Sequence, residues 1–297
     1  LVRLFADDEI SKRFDRRVAA ALSTRDSGVN VSSDPAKACL FVSRVGSCLS
    51  VNQCALPLWL AQWRLRALPF WNGTGRNHVL LDHFDSAYAS HLPLGHSGLA
   101  VSIRSATSTQ HFRPGFDVAL PLLGKMSAYR QVVAGPGTEN AGNISSPFAF
   151  DQRKVLVGFL GAPTTPADDE SAEHTNKLGI RGLRQLLPSL HAPSSRVNIR
   201  VREPKCKVPC KKHAPEFRTE YKKVLLTSRF QVVPRGNGLH SHRLLESLSA
   251  GSIPIILADG IVLPFSDIIP WHEAVVVLPE MEWRSIPVVA KQIEADP

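Results

Sequence analysis

The feature that most constrains the fold is an ordered series of an apolar run, a glycine loop, an amphipathic stretch and a second apolar run. The first run, Phe230–Val233, is short, contains β-branched valines and stops at Pro234, which predicts a buried strand. The second run, Ile253–Ala258, is almost wholly apolar, as a parallel strand covered on both faces is. The series therefore predicts a strand, helix, strand unit and an α/β fold with parallel sheets.

The segment between the two predicted strands contains a loop and a helix. Two glycines lie in the loop Pro234–Gly238, and Ser241–Ala250 carries leucines on one face. Ser241 is a suitable N-cap and Gly251 a suitable residue to end the helix. Free backbone N–H groups at the start of such a helix suit a phosphate or diphosphate.

Charged side chains surround this loop. Arg235 and Arg243 present guanidinium groups that grip phosphate oxygens two at a time, and Gly236 lets a ligand approach the backbone. Glu246 lies one turn after Arg243 and offers a carboxylate to sugar hydroxyls. Two structural alternatives stay open: the glycine loop is a plain turn, or Arg243 and Glu246 form a surface ion pair.

The same stretch closely resembles the exostosin family of glycosyltransferases. The family pattern has P-R-G, then S-x-R-x-x-E, then G-x-I-P and L-P-F before a tryptophan. The matching residues here are Pro234, Arg235, Gly236, Ser241, Arg243, Glu246, Gly251, Ile253, Pro254, Leu263, Pro264, Phe265 and Trp271. The resemblance implies that Pro234, Arg235, Gly236, Ser241, Arg243 and Glu246 bind a nucleotide-sugar donor.

Other segments carry the resemblance through the chain. The W-N-x-x-G-R-N-H stretch is similar to the family's acceptor-side motif, which assigns Arg76, Asn77 and His78 to the acceptor, although a satisfied loop network is an alternative. The apolar strand before Gly161 ends in F-x-G, and the resemblance places Phe159 and Gly161 beside the donor. It also places an arginine near the donor phosphates at Arg181, in a helix over residues 178–187; a solvated helix edge is the alternative.

A catalytic base is expected from chemistry. Inverting sugar transfer needs one group to take the proton of the acceptor hydroxyl, and a carboxylate or an imidazole can do this. Asp82 and His83 follow the strand after the acceptor-side motif and are the candidates.

The resemblance implies two Rossmann-like domains facing a cleft, the GT-B type of glycosyltransferase. We expect an acceptor-side domain at residues 1–130, a linker rich in Gly, Ser, Asn and Pro at 131–150, and a donor-binding domain at 151–297 that is incomplete at its C-terminus. Within the first domain, apolar residues separated by charged ones predict an amphipathic helix over Leu1–Leu22.

Composition bounds the partners. The net charge of +9 and the pI near 9.6 favour polyanionic or phosphate-bearing partners. There is no block of five like charges and no interleaving of arginine with aromatics, so nucleic acid is not an expected partner. The chain lacks the glycine fingerprint of dinucleotide oxidoreductases after an early strand. The resemblance implies that a metal is not obligatory, in agreement with the lack of an Asp-x-Asp motif beside a strand, so no metal ligand and no other cofactor are expected.

The predicted compartment is the lumen of the Golgi or endoplasmic reticulum. Three sequons, at Asn30, Asn72 and Asn143, agree with the secretory pathway. A local disulfide between Cys206 and Cys210 is favoured over half of a zinc site. No run of 18 apolar residues is present and the chain starts without Met, so we expect a luminal portion of a longer protein with a type II membrane anchor.

The resemblance implies inverting transfer of a sugar from a UDP-sugar to a glycan acceptor, by a protein that acts alone, as a homo-oligomer or as a hetero-oligomer with another glycosyltransferase. Donor identity stays open: animal exostosins suggest glucuronate, but Asn237–His240 replace the further arginines of their P-R-G stretch. The alternative is a non-catalytic glycan binder or partner subunit, because the basic charge fits it equally well.

Overall fold

The chain folds into two compact units. The structure is a computed structural model and describes residues 2–5, 34–44, 63, 66–68, 70–82, 98–105, 107–122, 150–161, 179–201, 214–236 and 239–296. One unit comprises residues 1–120 with 262–269, and the other comprises residues 121–261 with 270–297. The predicted linker at 131–150 lies, apart from its last residue, outside the described residues, so the domain boundaries stay a prediction.

The first unit contains a five-stranded sheet in which all described neighbours are parallel. Its strands follow one another in chain order: β1 (Val2–Phe5), β2 (Leu40–Arg44), β3 (His78–Asp82), β4 (Val101–Arg104) and β5 (Val118–Ala119). The later segment 262–269 joins this unit, because the amide of Phe265 donates to the carbonyl of Ala119 over 2.9 Å.

The predicted helix over Leu1–Leu22 is wrong at its start. Val2–Phe5 is strand β1, which pairs in parallel with β2 from Val2 opposite Leu40 to Phe5 opposite Ser43. A run of four residues is too short for hydrophobic periodicity to separate a helix from a strand, and pairing with β2 decides the outcome. Residues 6–22 lie outside the described part of the chain.

The second unit contains another parallel sheet with helices. Its strands are β6 (Val155–Gly161), β7 (Val197–Val201), β8 (Ser228–Pro234), β9 (Ile253–Leu257) and β10 (Val276–Leu278). Its α-helices are α1 (Gly179–Leu186), α2 (Ala214–Thr227), α3 (Arg243–Ser249) and α4 (Ile286–Ala295). The prediction of a mixed α/β fold with parallel sheets is confirmed.

The strand order of this second sheet defines where a ligand fits. The order is β10-β9-β8-β6-β7, so the chain moves from β6 outward to β7 and then returns to the other side of β6 as β8. Connections on the two sides of β6 therefore diverge. In open parallel sheets, ligands bind outside the carboxyl ends of the strands at such a switch point. Gly161 ends β6 and Pro234 ends β8, which places both at this edge.

The core of the second unit explains why its strands read as continuous apolar runs. Phe159, Phe230 and Ile255 come from β6, β8 and β9 and are fully buried in one cluster. Burying each of these side chains contributes roughly 1.5–3 kcal/mol relative to leaving it exposed. Strands β6, β8 and β9 are covered by side chains on both faces, so they have no polar alternation to display.

Helix α3 differs from its prediction at one end and agrees at the other. It begins at Arg243 with His242 at the N-cap, whereas Ser241 lies one position earlier and its Oγ accepts a hydrogen bond from the amide of Arg243 over 3.3 Å. Gly251 has a φ of +70° and its amide donates to the carbonyl of Leu248 over 2.9 Å. A left-handed glycine of this kind ends a helix as predicted.

Candidate functional site

Arg243 lies at the switch point of the second sheet and makes three contacts there. Its guanidinium carbon lies 4.5 Å from the ring centre of Phe159 and 4.8 Å from that of Tyr221. Its Nη2 donates to the carbonyl of Leu160 over 2.8 Å. The side chain therefore connects the first turn of α3 to the carboxyl end of β6.

One nitrogen of this guanidinium has no hydrogen-bond partner among the residues that the structure describes. Nη1 of Arg243 is buried and donates no hydrogen bond to any residue that the structure describes. A buried donor without an acceptor costs roughly 1–3 kcal/mol, and more when it is charged. A site that later receives a phosphate oxygen has this arrangement before the ligand arrives.

Gly161 leaves room for this arrangement. A Cβ at Gly161 would lie 2.7 Å from the Phe159 ring and 3.3 Å from Nη2 of Arg243. The predicted donor residues Phe159, Gly161 and Arg243 are thus brought together. The reason for the glycine is close packing of the aromatic ring and the guanidinium.

Glu246 lies on the same helix and is 7% exposed. Its Oε2 accepts a short hydrogen bond from the hydroxyl of Tyr221. Among the described residues, it accepts no other side-chain hydrogen bond and makes no ion pair with Arg243. The surface ion pair that the sequence left as an alternative is therefore not formed, and the two side chains meet through Tyr221 instead.

Arg235 is placed differently from Arg243. It is 4% exposed, and its Nη1 lies 3.8 Å from Oε1 of Glu280, a residue that is itself fully buried. Burial lowers the pKa of Arg235, while the carboxylates of Glu280 and Asp259 act in the opposite direction. Its backbone carbonyl accepts a hydrogen bond from Nη2 of Arg184 over 2.8 Å. Arg235 therefore connects the end of β8 to Glu280 and to Arg184.

In the glycine loop after β8, the backbone of Gly236 packs closely against that of His240. Its amide donates to the carbonyl of His240 over 3.2 Å, and a Cβ at Gly236 would lie 2.6 Å from that carbonyl oxygen. Asn237 and Gly238 lie outside the described residues. Gly236 is thus required for closure of the loop upon itself, which brings Ser241 and α3 back to the sheet edge.

Arg181 is less fully described. It lies in the first turn of α1, and its side chain is outside the described part of the structure. Its predicted contact with the donor stays a prediction.

The acceptor-side residues lie in the first unit. His78 begins β3, is fully buried, stacks on Phe41 at 5.2 Å and packs against Trp71 at 4.9 Å. Its Nδ1 lies 3.0 Å from Oδ1 of Asn77. Arg76 is exposed. His78 and Asn77 form the kind of internal loop network that was the alternative interpretation, whereas Arg76 is accessible to a ligand.

Of the two candidate bases, the structure describes the backbone of Asp82 and no part of His83. Asp82 ends β3 and pairs in register with Arg104 of β4, but its side chain is outside the described structure. His83 lies wholly outside it, as do Cys206 and Cys210. Their predicted roles and the predicted disulfide stay predictions.

Two further residues contact the site without being indicated by any motif of the sequence. Tyr221 lies on α2 and touches both Arg243 and Glu246, and Arg184 lies on α1 and binds the backbone of Arg235. Both contacts join residues far apart in the chain. A tyrosine on the inner face of a helix before the glycine-loop strand is the only sequence signal for the first, and it looks like ordinary core.

The fold and the site define a class of protein. A parallel sheet whose switch point gathers a guanidinium, a carboxylate and close-packed glycines is typical of α/β proteins that bind nucleotides. Comparison with known families is more specific: the chain belongs to the exostosin family, since the model of the Exostosin GT47 domain matches residues 10–293. Membership of this family supports a glycosyltransferase role for the chain.

Individual relatives agree with this assignment. Exostosin-1c of Danio rerio is 32% identical over 273 residues, which are 89% of this chain and 35% of the relative. The Exostosin-1 homolog of Caenorhabditis elegans is 31% identical over 231 residues, 73% of this chain and 55% of the relative. Exostosin-1 of Mus musculus is 29% identical over 89% of this chain and 34% of its own length. The chain thus spans about a third to a half of the relatives it matches.

Two features are absent from the part of the chain that the structure describes. No described helix is long and apolar enough to cross a membrane. No three described His, Cys, Asp or Glu side chains lie together in a way that could hold a metal ion. The predicted independence from metal is a matter for experiment.

Proposed function

We propose that this protein transfers a sugar from a UDP-sugar to a glycan acceptor with inversion of the anomeric centre. The observation that carries the proposal is the meeting of Arg243 and Glu246 at the switch point of the second sheet. Family membership supports the reaction class, and the geometry supports the second unit as the donor side.

The diphosphate is proposed to bind beside Arg243. Nη1 of this residue supplies a charge-assisted hydrogen bond, and the rings of Phe159 and Tyr221 hold the guanidinium plane. Because α3 has seven residues, the guanidinium supplies more of the positive charge than the helix dipole. Arg181 is proposed to reach the same phosphates.

Arg235 is proposed to support donor binding indirectly. Its guanidinium faces Glu280, so its proposed contribution to phosphate binding is to fix the backbone of Gly236 and to add positive field. Glu246 is proposed to accept hydrogen bonds from the hydroxyls of the nucleotide ribose.

The transfer step balances as follows. The acceptor hydroxyl oxygen forms a bond to the anomeric carbon, while the bond from that carbon to the diphosphate oxygen breaks and its electron pair leaves with UDP. Asp82 or His83 takes the proton of the acceptor hydroxyl. Positive groups beside the diphosphate stabilise the charge that develops on the leaving group. The donor sugar, the acceptor and the base are part of the proposal.

The wider setting is also proposed. The protein acts in the lumen of the Golgi or endoplasmic reticulum, as a two-domain enzyme of the GT-B type that associates with copies of itself or with another glycosyltransferase. Its acceptor is a glycan that binds beside Arg76 in the first unit.

The test is calorimetric titration with UDP, followed by a screen of UDP-sugars for transfer. Arg243→Ala and Glu246→Ala should each weaken UDP binding at least about tenfold. The matched controls are Arg218→Ala and Glu216→Ala, which remove the same charges from exposed positions of α2 and should leave UDP binding unchanged. Glycan binding that survives in a protein with no affinity for UDP would favour the non-catalytic glycan binder instead.

A further inference from the structure

One tyrosine contacts both side chains on which the proposed donor site depends. Tyr221 lies on α2, which precedes the site in sequence and packs against β6 and β8. Its hydroxyl donates to Oε2 of Glu246, and its ring lies 4.8 Å from the guanidinium carbon of Arg243. No motif of the sequence marks this residue.

The hydroxyl fixes the orientation of the carboxylate. Glu246 has three rotatable side-chain bonds and, among the described residues, no other side-chain hydrogen bond to restrain it. The bond from Tyr221 occupies Oε2 and leaves Oε1 without a hydrogen-bond partner among those residues. A carboxylate held by one oxygen presents the other in a defined direction, so a ligand hydroxyl meets an acceptor that is already placed.

The ring restricts the orientation of the guanidinium. The guanidinium carbon of Arg243 lies 4.5 Å from the ring centre of Phe159 and 4.8 Å from that of Tyr221, and Nη2 donates to the carbonyl of Leu160. These three contacts restrict rotation of the guanidinium, so the Tyr221 ring contributes to the direction of Nη1. Tyr221 therefore acts on the two groups in different ways: through its hydroxyl on Glu246 and through its ring on Arg243.

We propose that Tyr221 is a positioning residue of the donor site, which sets the carboxylate of Glu246 toward the ribose hydroxyls and the guanidinium of Arg243 toward the diphosphate. This inference rests on the proposed function, because it assumes that a nucleotide diphosphate binds at the switch point. The role is separable into its two parts, since Tyr221→Phe removes the hydroxyl alone and Tyr221→Leu also removes the ring.

The experiment measures the affinity of UDP, 2′-deoxy-UDP and 3′-deoxy-UDP by calorimetry. The wild-type protein should prefer UDP to at least one of the two deoxy analogues, because Glu246 accepts a hydrogen bond from the missing hydroxyl. In Tyr221→Phe, the affinity for UDP should fall about tenfold, and the affinity for that deoxy analogue should fall by less. The ratio of the two affinities should therefore decrease. In Tyr221→Leu, the affinity for all three ligands should fall further, because Arg243 also loses its contact with the Tyr221 ring.

The control is Phe217→Leu. Phe217 stacks on Tyr221 at a centroid distance of 6.3 Å and has no hydrogen bond or ring contact with Arg243 or Glu246. It should leave the preference for UDP unchanged, and circular dichroism should show all variants folded. Equal losses for the three ligands in Tyr221→Phe would mean that Tyr221 has only a packing role, and unchanged affinities would overturn the inference equally.

The two levels of the account fail in different ways. If UDP binds the wild type and Glu246→Gln narrows the preference but Tyr221→Phe does not, the proposed function stands and the role of Tyr221 is wrong. If Arg243→Ala and Glu246→Gln both leave UDP affinity intact, the donor site itself is wrong and the role of Tyr221 fails with it.

Discussion

The side chain of Asp117 accepts hydrogen bonds from two separate segments of the first unit. Both of its oxygens bind the guanidinium of Arg113, with Nε 2.8 Å from Oδ2 and Nη2 2.7 Å from Oδ1. Oδ1 also accepts from the amide of Ser102, and Arg113 donates onward to the carbonyls of Gly98 and Ala100. Arg113 and Asp117 thus connect the segment just before β5 to β4 and to the residues that precede it.

Replacing this carboxylate should destabilise the protein. Asp117 is 3% exposed, so Asp117→Ala leaves Arg113 and the amide of Ser102 without their acceptor. The expected loss in the free energy of unfolding is about 3 kcal/mol, as for a buried pair that loses one partner. Urea denaturation measures it.

An exposed ion pair provides the comparison. Lys37 and Asp34 lie 3.7 Å apart with both side chains largely in solvent. Lys37→Ala should cost less than about 1 kcal/mol. A loss for Asp117→Ala no larger than that of Lys37→Ala would show that the pairing of Arg113 with Asp117 does not contribute to stability.

At this scale the sequence identifies the ends of interactions but not their partners. Arg243 and Glu246 are visible as S-x-R-x-x-E, yet their connection through Tyr221 depends on how α2 packs. Arg235 was expected to face phosphate directly, and its burial against Glu280 follows from a reciprocal pair of hydrogen bonds between Glu280 and Asp259. Contacts between segments so distant in sequence have no local signature.

At the scale of elements, Gly158 in the middle of β6 determines how closely two strands and a helix pack. A Cβ at Gly158 would lie 2.1 Å from Oγ of Ser228 and 2.9 Å from Nε2 of Gln231. Both neighbours are buried, and each donates to the carbonyl of Val224 on α2. The glycine is therefore needed for space.

Gly158→Ala should destabilise the second unit by about 1–3 kcal/mol through overpacking. Thermal or urea unfolding measures the change. In the background of Ser228→Ala, which removes the nearest oxygen, the same substitution should cost less. Equal costs in the two backgrounds would refute the steric explanation.

Strands and helix ends are predicted correctly where burial or backbone geometry restricts the residue types in the sequence. Strands β6, β8 and β9 are continuous apolar runs because both faces are covered, and Gly251 marks the end of α3 through its left-handed backbone. The sequence predicts a helix at strand β1, and this prediction is wrong because four residues carry no decisive period. The switch in strand order around β6 could not be derived from any local pattern, although it determines where the site lies.

At the scale of the whole molecule, the account assigns different roles to the two units. Arg76 is exposed on the first unit, and we expect it to contact the acceptor and not the donor. Arg76→Ala should raise the KM for the glycan acceptor by about tenfold and leave the dissociation constant of UDP unchanged. Steady-state transfer kinetics and calorimetry measure the two quantities. A loss of UDP affinity in this variant would contradict the assigned roles.

Donor binding should not require a metal ion. Because the proposed donor site offers positive side chains to the diphosphate, UDP affinity should be equal in EDTA and in Mn²⁺ or Mg²⁺. Calorimetry with the metal-free protein tests this. A dissociation constant that falls markedly when either cation is added would show that the protein's own cations are insufficient.

The most direct test of the central claim is the position of UDP in a co-crystal structure. We predict its diphosphate at the carboxyl ends of β6 and β8, with a phosphate oxygen within hydrogen-bond distance of Nη1 of Arg243 and the ribose against Glu246. Density for UDP elsewhere, such as the cleft of about 430 Å³ lined by Lys154, His191 and Arg200 at the edge of the same sheet, would contradict the account.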